Sequence, residues 1–183
     1  EDESNAVREL AALGLAMHGD DAVVPALTHS LVLGAEKTAG AACLALERLG
    51  SPAAVRALSE LAAGPLESDR AAMLIDALAG IGTSSCAAGL LPLLDDHRPS
   101  AAPSRAERML AKLRPIFHGE DLALLEAPEP HATVLPGTIA ERAAAALARI
   151  TGLDPQFSSQ ASEEERAAAI RSWEAWIANQ SPP

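Results

Sequence analysis

The chain has 183 residues, 49% of them hydrophobic but only 2% aromatic, and carries a formal charge of -11 from 25 acids against 14 bases. That balance argues against a sequence-independent phosphate-binding role, which needs a basic groove to release counterions, so no nucleic-acid partner is expected. Alanine fills 41 positions, and because it loses no side-chain entropy on folding and lets helices approach closely, the composition predicts an all-α chain without sheet.

Taken in chain order, the predicted elements recur around short glycine turns at Gly19, Gly50, Gly82, Gly119 and Gly152, spaced by 31, 32, 37 and 33 residues. Each copy reads as two helices around its turn. Neither helix buries its apolar face alone, so the copies are expected to stack as one solenoid domain over 1–183. The first unit spans about 5–33, with Val7, Leu10, Leu13 and Met17 at helical spacing before the turn and Val23, Val24, Leu27 and Leu31 after it. The second spans about 35–63, where Ser51 and Pro52 make a cap and a first helical residue and Gly64-Pro65 a stop. The third spans about 68–94, with Ser68 or Asp69 capping its first helix and Thr83 or Ser84 its second.

Regularity fails after Leu94. Asp95 to Ser100 with Pro103 predicts a longer connection, and Ser104 with Glu107 forms a capping box that opens a fourth unit over about 101–126. Pro128, Pro130, Pro136 and Gly137 then predict an extended loop over 127–137, of a length that is often functional. A fifth unit, about 138–179, opens with a Thr138/Glu141 box and restarts with a Ser162/Glu165 box. Its last helix, 162–179, places Ile170, Trp173 and Ile177 at helical spacing and is predicted to cap the stack. The acidic run Glu163 to Glu165 suits the positive end of that helix's dipole.

The units VRELAALGLAMHGDDAVVPAL, SPAAVRAL and DRAAMLIDALAGIG resemble bacterial HEAT repeats, particularly the short HEAT-like type also found in phycobilisome lyases. Within that resemblance Arg8 and Arg70 look like the arginine common near the start of a first helix. The closing segment, with its ITG turn, acidic helix and the pair Trp173 and Trp176, is similar to the end of many HEAT-repeat proteins. The resemblance implies a right-handed superhelix of about five helix pairs, whose second helices line a concave surface that binds other proteins. It also brings a runner-up, an enzyme or enzyme accessory of the bilin-lyase class, for which a chain without tyrosine and with two phenylalanines offers few aromatic walls.

On that surface the sequence nominates Asp20, Asp21, His29, Arg56, Glu60, Asp95 and Asp96, with Trp176 as a partly exposed ring. Such a groove is mildly acidic and suits a basic or mixed-charge protein or peptide bound by a monomer. The five histidines, His18, His29, His97, His118 and His131, show no metal-ligand spacing, and no His-Glu dipeptide of the kind used by the iron-binding deoxyhypusine hydroxylases occurs. Asp95, Asp96 and His97 read as a polar loop, so no metal or cofactor is assigned. Cys43 and Cys86 read as buried free thiols, and Cys86 lacks an identifiable base. No catalytic residue is assigned. No stretch reaches the length needed to span a bilayer. The sequence begins at Glu1 rather than methionine, from which a longer precursor is expected; it is read as cytoplasmic or exported, or as the terminal module of a larger envelope protein.

Overall fold

A computed structural model of the chain describes residues 19–100 and 137–180. The first helix of the first unit, the fourth unit over 101–126 with its Ser104/Glu107 box, and the loop as far as Pro136 lie outside the described residues. Among the described residues there are seven α-helices and no strand. They are α1 (Val24–Leu33), α2 (Glu36–Leu49), α3 (Pro52–Ala62), α4 (Ser68–Ile81), α5 (Ser84–Leu90), α6 (Ile139–Thr151) and α7 (Glu163–Gln180), with 3-10 turns at Asp21–Val23 and Leu91–Asp95.

The local signals explain most of the boundaries. Ser51 accepts the Ala54 N–H at 3.2 Å, and Pro52 opens α3 where no backbone donor is needed. Helices α2, α4 and α6 end at Gly50, Gly82 and Gly152, whose φ angles of 56°, 70° and 72° lie in the left-handed region that a Cβ penalises. Two expectations need correcting. Glu67, not Ser68 or Asp69, takes the cap position of α4, with extended backbone and no side-chain bond, so Ser68 is the first helical residue. The second helix of the third unit is α-helical only to Leu90, because Pro92 removes a donor and crowds the preceding turn, and the chain tightens into the 3-10 turn.

First helices α2, α4 and α6 pack side by side in one layer, and second helices α1, α3, α5 and α7 in the other. Each helix also touches its chain neighbours across the layers, which is the nearest-neighbour contact pattern of an α-solenoid. Turns at Gly19, Gly50, Gly82 and Gly152 form one edge of the stack; the loops around Gly34, Leu66 and residues 96–100 form the other. Between the layers lies a continuous core of Leu27, Leu31, Leu46, Leu58, Leu74, Leu78, Leu90, Ile139, Leu147 and Trp173, interleaved with fully buried alanines such as Ala39, Ala45, Ala54 and Ala71. Cys43 and Cys86 are buried within it, Cys43 donating to the Met73 carbonyl at 2.9 Å.

Helix α6 packs against α4 and α5, and α7 against α5.

Close packing sets a limit at Gly89, on the face of α5 that meets α3. A Cβ added there would run into the Ser59 hydroxyl and stand 3.0 Å from Ser59 Cβ and 3.3 Å from its Cα. Replacing glycine by alanine in a helix gains about 1 kcal/mol of propensity, but overpacking typically costs about 1–3 kcal/mol. Gly89→Ala is therefore expected to lower the unfolding midpoint, and Ser59→Ala in the same chain to recover part of the loss. A midpoint raised by Gly89→Ala alone would show that α3 and α5 can separate freely.

Candidate functional site

The nominated residues fall on two edges and one end. Asp20 and Asp21 lie beside the Gly19 turn, exposed, and Asp20 Oδ1 accepts the Ala22 N–H at 2.9 Å as the cap of the first 3-10 turn. His29, Arg56, Glu60 and Asp95 are exposed on the second-helix layer, and Glu60 and Asp95 sit at the C-terminal ends of their elements, on the opposite edge. His29 and Glu60 are 31 positions apart, the same interval as Gly19 and Gly50, so they hold equivalent places on the adjacent helices α1 and α3. Arg56 lies one turn before Glu60 on α3. Thus the structure gathers His29, Arg56 and Glu60 on neighbouring helices, and it does not bring Asp20 and Asp21 to Asp95 and Asp96.

Side-chain commitments divide the set further. No hydrogen bond or ion pair among the described residues holds the side chains of Asp21, His29, Arg56, Glu60 or Asp95, whereas the Asp96 carboxylate is occupied. It accepts from Arg98 N at 3.1 Å, Nε at 2.9 Å and Nη2 at 2.6 Å. Those bonds hold its pKa below the ordinary carboxylate value, with burial opposing them. Trp176 is partly buried and packs against the core, while Trp173 is fully buried and meets Phe157 with ring centroids 6.0 Å apart. The terminal helix thus buries one ring completely and leaves the other half exposed.

Sequence reading missed the polar groups that join successive units. Arg70 Nη2 donates to the Gly34 carbonyl at 2.6 Å, and Arg98 Nη1 to the Leu66 carbonyl at 2.6 Å, each reaching back to the preceding loop. Arg142 of α6, buried, forks onto Asp76 of α4, with Nε and Nη2 at 3.2 and 3.0 Å from Oδ1 and Nη2 at 3.0 Å from Oδ2, and also reaches Ser100 Oγ at 3.1 Å. A signal existed: Arg142 follows an acid early in α6 as Arg70 follows one early in α4. Glu141 closes the Thr138 capping box and also accepts from Gly137 N and from the hydroxyl and N–H of Ser159. The Ser159 hydroxyl chiefly, then these backbone N–H groups, lower its pKa against the opposing effect of burial.

An open groove of about 490 Å³ runs between the loop at Pro155 and Gln156 and the Glu165 to Ser172 stretch of α7. Gln156 stands at its rim with φ 58°, its side chain bonded to Asp154 Oδ2 at 2.9 Å. Among the described residues no three His, Cys, Asp or Glu side chains converge as metal ligands, and no helix is long and apolar enough to cross a membrane. His18, His118 and His131 lie outside the described residues.

No curated protein and no solved structure matches the chain. Residues 1–79 match the family model described as HEAT repeats, and helix pairs continue to stack beyond them among the described residues as far as Gln180.

Proposed function

We propose that the chain is a noncatalytic scaffold that binds a protein partner through its second-helix layer. HEAT repeats generally mediate protein–protein interaction. The observation that carries the placement is that His29, Arg56 and Glu60 stand exposed on adjacent second helices with no polar partner among the described residues, so their charge and hydrogen-bonding capacity remain available. With Asp21 and Asp95 on the same layer, the surface around Arg56 is mildly acidic, which favours a basic or mixed-charge protein over nucleic acid. The scaffold acts as a monomer in this reading.

Affinity capture with the purified chain as bait, repeated with Arg56→Glu/Glu60→Arg, tests it. Both positions are exposed, so the variant should keep the parent's helical signal and unfolding midpoint while releasing the captured protein. A partner retained equally by the variant would move the interface elsewhere. Turnover that survives purification and vanishes on substitution of one polar residue would overturn the noncatalytic reading.

A further inference from the structure

We infer that the segment over residues 153–162, here called the strap, and α7 form one unit that opens from the stack as a whole, hinged at Gly152 and latched by the contact between Glu141 and Ser159. Helix α6 ends at Gly152, yet Ser159 lies against Glu141 in the first turn of α6. The strap therefore runs back along the length of α6, and α7, which opens at Glu163, starts beside the start of α6 rather than beside its end. Near the middle of α7, Trp173 meets Phe157 of the strap. Helix α7 thus turns back under the strap and runs in the same direction as α6.

The two Glu141 oxygens have separate roles. Oε2 accepts the Gly137 and Thr138 N–H groups at 2.9 and 3.2 Å and caps α6. Oε1 accepts the Ser159 hydroxyl and N–H at 2.5 and 3.3 Å and holds the strap. Arg166 of α7 donates to the Ser159 and Ala161 carbonyls at 3.4 and 2.8 Å, which fastens the helix to the strap. Behind this latch the apolar contact is small. Of the 18 residues of α7 only Ala169 and Trp173 are buried, so the helix contributes little core for its length. The open groove separates Pro155 and Gln156 from α7. Two costs exist only while the unit is closed: the buried Trp173 indole N–H has no partner among the described residues, and Gln156 holds φ 58°, in the left-handed region that side chains disfavour. Opening returns the indole to water and frees the Gln156 backbone. Elements with few buried contacts are those that open below the global transition. A fraying helix would loosen from Gln180 inward, whereas a latched unit loosens along its whole length at once. Opening uncovers Trp173, Phe157 and the flank of α5 that α7 covers, and it does not depend on where a partner binds.

Both tryptophans of the chain lie in α7, so intrinsic fluorescence reports this unit alone. In denaturant the parent is expected to lose its native fluorescence before its helical circular dichroism, which the other helices dominate. Ser159→Ala removes the hydroxyl from Oε1 and leaves the cap of α6 in place. It is expected to widen that gap and to raise amide exchange evenly along α7 by roughly tenfold, the scale of one hydrogen bond to a charged group, with exchange in α2 to α4 unchanged. Glu141→Gln keeps a side chain that can complete the cap and should act in the same direction. Coincident transitions in the parent, unchanged exchange in Ser159→Ala, a rise confined to the last turn before Gln180, or an equal rise in α2 to α4 would each overturn the inference.

Discussion

Trp173→Ala is expected to lower stability by about 3–5 kcal/mol, the usual cost of deleting a large ring from a core. Trp173 is 1% exposed and is the largest fully buried side chain of the chain's described part. It fills the junction between α7 and the core, against Phe157. One feature pulls the figure toward the lower end: its buried indole N–H finds no hydrogen-bond partner among the described residues. Burying such a donor costs about 1–3 kcal/mol, which the alanine variant no longer incurs. Trp173→Phe, which drops the N–H and keeps an aromatic ring, is therefore expected to cost far less. In a solenoid the loss should be local, so amide exchange in α6 and α7 should rise before exchange in α2 to α4. Denaturant unfolding with hydrogen exchange reads both quantities. An unchanged midpoint would remove Trp173 from the core.

That the closing helix uses one tryptophan as core and leaves the other half exposed was legible in the sequence, because two rings three residues apart cannot both share one inward stripe with Ile170 and Ile177. The same holds for the repeated pairs: turn glycines and caps are local signals, and each of Gly50, Gly82 and Gly152 ends a first helix with its φ positive. What local signals do not carry is which unit stacks on which. Helix α6, for example, sits on α4 and α5, from which it is separated by more than 40 residues of chain. The decision is made by contacts far apart in sequence. Ser100 to Gly137 and Asp76 to Arg142 are examples that no helical period announces. The candidate surface divides in the same way. Exposure of His29, Arg56 and Glu60 follows from their helix faces, but the capture of Asp96 by Arg98 depends on the Asp96-Arg98 turn, and Arg98 is in turn held by Leu66 in another loop.

The Asp76–Arg142 pair is where this long-range decision should be most costly to disturb. The two side chains are 17% and 8% exposed, and their contact joins α4 to α6. Removing one member of a buried pair typically costs about 3–5 kcal/mol, because the remaining charge has lost water and partner together. Asp76→Ala is expected near the lower end, since Arg142 keeps its bond to Ser100 and Asp76 itself is not completely dry. Arg142→Met should cost less than Asp76→Ala, because the carboxylate left behind is the more exposed of the two groups. Asp76→Leu/Arg142→Met should lose less than the sum of Asp76→Leu and Arg142→Met measured singly, as apolar replacement of a whole buried pair is often neutral. A double-mutant cycle by denaturant unfolding measures the coupling, expected between about 0.5 and 3 kcal/mol. Strictly additive losses would mean that the fork contributes no energy of its own. A double variant that matches the parent in midpoint but loses cooperativity would place the value of the pair elsewhere: in fixing how α6 docks on α4.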